Sequence, residues 1–197
     1  MENCENNARY KSGQYEGYCN KHLIQLYRYK KIFKRTYRDS NEIIDCGDYY
    51  EICLYKGRSE QIEVARTKID KEYLDKVKGY KWCLNGNGYV INTKNKVFLH
   101  HLIFGRPLKG YLIDHQDTNK LNNRKKNLRF ATYSQNGMNK KVKGYRWNKK
   151  DKKWIAYIKI NGKFIYLGSF TDELVAAKVA QEARLKYFGE FAYKNNN

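Results

Sequence analysis

The chain has 197 residues, with 40 Lys or Arg against 20 Asp or Glu, a formal net charge of +20. That excess repels itself unless it meets a polyanion, so nucleic acid is the first partner it implies. No window approaches 18 apolar residues, no segment resembles a signal peptide, and no basic amphipathic helix is long enough to lie flat on lipid; the expectation is an intracellular protein without a membrane partner.

Residues 1–46 carry nine basic and six acidic residues, and "GYCNKHLIQLYRYKKIFKR" predicts a short basic helix beginning near Asn20. The five cysteines, Cys4, Cys19, Cys46, Cys53 and Cys83, are an odd number without a secretory signal, which argues for reduced thiols. Cys4, Cys19 and His22 resemble a degenerate treble-clef-like zinc site, with "GYCNKH" as its C-x-x-H half. The resemblance implies a structural Zn²⁺, which wants four ligands; Cys46 would complete the set. The competing reading is a small basic helix with buried thiols.

Residues 47–140 carry a net charge of +9. "YYEICLY" and "EVARTKI" predict strands, "DKEYLDKVKGY" a short helix, and "GYVINTKNKVFLHHLIF" a hairpin running into a second short helix. After Pro107, "GYLIDH" reads as a strand ending on an acid-histidine pair. A loop follows, then an expected helix around "NNRKKNLRF" and a last helical turn carrying "SQN".

Residues 141–197 show the clearest pattern. "KWIAYIKI", "NG" and "KFIYLGSF" are two strands around a hairpin turn. On the first, Trp154, Ala156, Ile158 and Ile160 point one way, and Lys153, Ile155, Tyr157 and Lys159 the other. On the second, Ile165 and Leu167 share a face opposite Phe164 and Tyr166. A helix is expected from about Asp172 to Phe188, with Ala176, Ala177, Ala180 and Ala183 as a small-residue stripe that can lie close on the sheet. Residues 143–170 carry net +7 and residues 171–190 net −1, so the charge belongs to the strands rather than the helix.

Across about fifty residues this segment resembles an AP2 domain, through Gly144-Tyr145-Arg146, Trp154, "YLGSF", the alanine-rich helix and "KYFGEF". The resemblance implies a three-stranded antiparallel sheet laid into the major groove of double-stranded DNA, with Lys143, Arg146, Tyr157, Lys159 and Tyr166 facing it. Lysine and tyrosine stand where many relatives use arginine and tryptophan; lysine grips phosphate but reads guanine poorly.

The acid-histidine pair carries the chemistry. Hydrolysing a phosphodiester needs an activated water, a Lewis acid and stabilisation of the leaving alkoxide. Adjacent residues on a strand point to opposite sides, which suits Asp114 to ligation and His115 to proton abstraction. From His115 to Asn127 is 12 residues, and from Asn127 to Asn136 is 9. With "FLHHLI" upstream, this spacing resembles the HNH nuclease motif in its phage-type homing branch, where the last place is asparagine. The resemblance implies a ββα-metal core holding one Mg²⁺ or Mn²⁺ through Asp114 and Asn136, with His115 as general base and Asn127 orienting the loop and the histidine. His100 matches a histidine of the family, for packing or a phosphate contact. Lys120, Arg124, Lys125, Lys126 and Arg129 place positive charge where the phosphate backbone must lie.

The expected chain is therefore α+β in three modules. Residues 1–46 form a helical or zinc-finger-like basic module, residues 47–140 the HNH core, and residues 141–197 the AP2-like sheet and helix with a frayed asparagine tail. The expected function is a homing-type DNA endonuclease, acting as a monomer or dimer in the cytoplasm of a bacterial or phage-infected host. The alternative is a DNA-binding regulator with a decayed nuclease.

Overall fold

In a computed structural model of the chain, the described residues are 20–30, 35, 37–58 and 60–194. A first helix, α1 (Asn20–Tyr29), begins at the expected asparagine. His22 lies half-buried on it, while Cys4 and Cys19 fall outside the described residues. Three strands follow as an antiparallel meander: β1 (Ile43–Asp45), β2 (Tyr49–Lys56) and β3 (Ile62–Asp70). The pairing of Ile44 with Glu51 spans position 46, the expected module boundary. Cys46 sits exposed in the turn between these strands, as a free thiol.

Strand β2 buries Ile52, Cys53 and Leu54 in succession rather than in alternation, so it is covered on both faces. Ile52, Leu54 and Ile69 pack with Tyr73, Val77, Trp82, Val90, Leu99, Ile103, Ile113 and Leu128 into one core. The buried Asn41 amide joins its parts, donating to the carbonyls of Cys53 (2.7 Å) and Trp82 (3.0 Å) and accepting from Trp82 N (2.7 Å). A 3₁₀ turn and the short α2 (Leu74–Val77) lead to β4 (Cys83–Leu84), β5 (Val90–Asn92) and β6 (Val97–Phe98), which form a second antiparallel sheet. Helix α3 (Leu99–Phe104) follows β6 directly, as the "VFLHHLIF" pattern predicts.

Strand β7 (Tyr111–His115) pairs antiparallel with β8 (Leu128–Thr132), in a register that sets Asp114 opposite Arg129. This corrects the expected helix around "NNRKKNLRF". Only Lys125–Asn127 turns, as a 3₁₀ segment, and Leu128–Thr132 is strand. Leu128 and Ala131 are spaced for a helix, but pairing with β7 satisfies the backbone while still burying both, so tertiary context overrides local periodicity. Helix α4 (Tyr133–Met138) then starts on a capping box. Thr132 Oγ1 accepts from Gln135 N (3.2 Å), and Gln135 Oε1 accepts from Thr132 N (2.8 Å).

The C-terminal unit is a sheet of order β11-β10-β9, from β9 (Tyr145–Asn148), β10 (Lys153–Ile160) and β11 (Lys163–Phe170), covered by α5 (Glu173–Phe188). Asp172 caps α5, its Oδ1 accepting from Leu174 N at 2.7 Å. Ala176 and Ala180 are fully buried against Ala156, and Phe188 joins Ile158 and Ala192 in a second cluster. The helix lies so close that a Cβ on Gly144, whose φ is +71°, would come within 3.1 Å of Ala180 Cβ. Buried Arg184 ties this unit to the end of α4, donating to the carbonyls of Met138 (2.7 Å) and Lys140 (3.0 Å). Among the described residues no helix is long and apolar enough to cross a membrane.

Candidate active site

The end of β7 delivers Asp114 and His115, both about 95% buried, to opposite sides of the strand. Asp114 Oδ2 accepts from Arg129 Nε (2.9 Å) and Nη2 (2.7 Å) across the hairpin. From the far end of α4, Asn139 Nδ2 donates to Asp114 Oδ1 (3.1 Å) and Oδ2 (3.0 Å) and to the His115 carbonyl (2.9 Å). Asn139 Oδ1 is buried and has no hydrogen-bond partner among the described residues. Asn136, the expected second ligand, is half-buried on α4 and makes no side-chain hydrogen bond with the described residues.

His115 belongs to a different set of contacts. Its Nε2 faces Asn123 Oδ1 at 3.3 Å, and its ring lies 5.5 Å from His100 and 6.1 Å from Tyr89. Burial pushes the imidazole below its ordinary pKa, with the Asn123 bond opposing that shift. His100 stacks on Phe98 at 5.3 Å and meets His101 at 4.6 Å. Burial first, then the neighbouring His115 and His101, depress its pKa to about 3, so it stays neutral.

The asparagine-rich run between the two strands is a loop built from side chains. Asn127 and Asp117 bond reciprocally, Asn127 Oδ1 accepting from Asp117 N (3.0 Å) and Asn127 Nδ2 donating to Asp117 Oδ1 (2.8 Å). Asn127 Nδ2 also reaches the Asn122 carbonyl (2.8 Å), and Asn122 Nδ2 reaches Asp117 Oδ2 (2.7 Å). Asparagine suits this work because one short side chain both donates and accepts. Asn127 thus fastens the loop, while the direct contact to the histidine comes from Asn123. Outside the loop, Asp70 at the end of β3 accepts from Arg124 Nε and from Lys125 N, both at 2.7 Å.

The basic residues fall into two groups. Arg124 and Arg129 are committed to Asp70 and Asp114. Arg129 also donates to the Glu190 carbonyl and lies 4.3 Å from the Phe191 ring centroid. Lys120 donates to the Asn87 carbonyl (2.8 Å) and stands 4.4 Å over the Tyr89 ring. Lys125 and Lys126 are exposed beside them. On the C-terminal sheet, Arg146, Ile155, Tyr157, Phe164 and Tyr166 line an open cup of about 330 Å³ on the face away from α5. Lys159 is exposed beside it, 5.2 Å from the Phe164 ring, whereas exposed Lys143, just ahead of β9, lines a different groove with Met138, Arg184 and Phe188. Asn123, Asn139, Thr67 and Asp70 escaped sequence reasoning. Only Asn123, in the quoted "NNRKKN" run, carried a local signal.

No cluster of three or more His, Cys, Asp or Glu side chains among the described residues could hold an ion. A cation beside Asp114 would rely on amide, phosphate or water oxygens, a donor set that suits Mg²⁺ or Mn²⁺ over zinc. The oxygens fit that purpose. Asp114 Oδ1 takes one 3.1 Å bond and keeps lone pairs, and the oxygen of the Asn139 amide, whose nitrogen faces that carboxylate, has no hydrogen-bond partner among the described residues.

A family model described as HNH endonuclease matches residues 97–138, from the start of β6 to the end of α4. A chain of Acanthamoeba polyphaga mimivirus, named an uncharacterized HNH endonuclease, is 35% identical over 177 residues, covering 84% of this chain and 91% of that one. No solved structure matches. A buried Asp-His pair closing one strand, a hairpin and helix around it, and likeness over nearly the whole length of that viral chain converge: this chain belongs to the HNH endonuclease family.

Proposed function

We propose that the chain is a metal-dependent, site-specific DNA endonuclease of the homing type, with the ββα-metal core at residues 47–140 and an AP2-like DNA reader at residues 141–197. The observation that carries this reading is the division of labour at the end of β7. A buried carboxylate, held by the Arg129 guanidinium and the Asn139 amide nitrogen with lone pairs left on Oδ1, lies on one side, and a buried imidazole whose pKa is lowered by desolvation lies on the other. Asp114, with Asn136 or the nearby Asn139 amide, would hold one Mg²⁺ or Mn²⁺ ion. When bound, such an ion supplies Lewis acidity to the phosphoryl group and stabilises the departing alkoxide. His115 takes the proton of the attacking water. Asn127 keeps the loop in shape around it, and Lys125 and Lys126, with Lys143 and the sheet-face residues Arg146, Tyr157, Lys159 and Tyr166, hold the DNA. The N-terminal module with Cys4, Cys19 and His22 takes a structural Zn²⁺ in this reading.

Supercoiled DNA incubated with Mg²⁺ tests the reading. Wild type nicks or linearises it, and His115→Ala and Asp114→Ala each lose at least about 100-fold. Cleavage surviving both substitutions sinks it. One observation favours a second reading, a DNA-binding regulator with a decayed nuclease. Arg129 and Asn139 already engage Asp114, so a cation must share that carboxylate with a guanidinium. Tight, salt-sensitive binding with no Mg²⁺-stimulated nicking would decide for it.

A further inference from the structure

Strand β3 lies outside the segment matched by the family, yet it reaches the histidine. Lys68 N donates to the Leu121 carbonyl (2.8 Å) and Asn123 N to the Lys68 carbonyl (2.9 Å), so the loop is docked along β3 as a short parallel bridge. Beside that bridge runs a chain of side-chain bonds with a fixed direction. Thr67 Oγ1 donates its one proton to the Leu121 carbonyl (2.8 Å). It therefore faces Asn123 as an acceptor, and Asn123 Nδ2 donates to it at 2.8 Å. The same Nδ2 donates to the Lys120 carbonyl (3.2 Å), an atom that can only accept. Turning the amide over would set its oxygen against two acceptors. Both Thr67 and Asn123 are completely buried, so no solvent softens that cost.

Asn123 Oδ1 is thereby committed to His115 Nε2, at 3.3 Å. An amide oxygen cannot donate, so the nitrogen facing it must carry the proton. A neutral imidazole has one N–H, so the lone pair falls on Nδ1. Nδ1 has no hydrogen-bond partner among the described residues. We propose that Thr67 and Asn123 are positioning residues that lock His115 in the Nε2–H tautomer, presenting Nδ1 as the atom that accepts the water proton. The proposal rests on His115 being the base. The 3.3 Å separation is long, as such bonds often are before substrate binds.

The test reads the tautomer directly. Full-length protein with ¹⁵N-labelled histidine, without added metal, is studied by long-range ¹⁵N–¹H correlation well above the histidine titration range. Wild type and Thr67→Ser, which keeps the hydroxyl, show His115 protonated on Nε2 alone. Thr67→Val and Asn123→Ala show a mixture of tautomers. Mg²⁺-dependent cleavage at saturating DNA falls about 10- to 100-fold in Asn123→Ala and recovers with Thr67→Ser relative to Thr67→Val. A single Nε2–H tautomer with wild-type rates in folded Asn123→Ala overturns the proposal. If that variant does not fold, the same result in Thr67→Val overturns it. Wild-type cleavage by His115→Ala overturns the base assignment instead, and the tautomer spectra keep the two failures apart.

Discussion

The nuclease site and the C-terminal sheet reach order by opposite routes. The sheet is apolar alternation and short-range pairing. Ala156 and Ile158 face α5, Tyr157 and Lys159 face away, and Ala176 and Ala180 let the helix settle close. The loop from Gln116 to Asn127 has almost no apolar content and is held by amides and carboxylates that satisfy its backbone. Its supports come from far off in sequence, at Thr67 and Asp70. A site built this way is exact but easily disturbed, because each lost partner leaves a buried polar atom unsatisfied. The sheet tolerates polar change on its open face and resists only changes of volume beneath the helix.

Four measurements sharpen that contrast. The largest effect belongs to His115→Ala, with cleavage down by about 10²–10⁴-fold and DNA affinity within a fewfold of wild type, read by nicking and electrophoretic shift in parallel. Next is Ile69→Ala, in the core beneath the loop, which should cost about 2–5 kcal/mol in urea melts, more than any single polar change on the open face of the sheet. Third is acid sensitivity. His100 is depressed to about 3 when folded and titrates near 6.5 when unfolded, so the unfolded state takes up its proton first. Stability from this group is intact above pH 6.5 and erodes as pH falls toward 3, by about 2 kcal/mol at pH 5. His100→Phe should flatten the pH dependence of the urea midpoint between those limits. Last, removing Arg146 and Lys159 charge together by alanine should weaken DNA binding roughly tenfold and flatten its salt dependence, leaving cleavage at saturating DNA unchanged. An unaltered salt slope would place the DNA elsewhere.

Legibility followed the same division. The helix from Asp172 to Phe188, its alanine stripe and the strand faces of Trp154 to Ile160 were readable because period and packing agree within a few residues. The hairpin after Gly88 and helix α3 were readable for the same reason. The strand from Leu128 was not, since its spacing suits a helix and only its partner β7 decides otherwise. Strand β1 and the two-residue β4 are too short to leave a pattern. At the site, spacing singled out Asp114, His115 and Asn127; the fold sets the first two at the end of β7 and ties Asn127 into the loop. Spacing gave Arg129 the part of a phosphate contact, whereas the fold sets that guanidinium on Asp114. The reason is register: the two face each other across a hairpin whose second strand was not foreseen.

Arg129 also gives the molecule its mechanical unity. One guanidinium grips the Asp114 carboxylate and, through Glu190 and Phe191, the turn that follows α5. The blade and the handle therefore share a rivet: a graft that moved the C-terminal unit onto another scaffold, or a truncation just after Phe188, would loosen the acid at position 114 without touching its own strand.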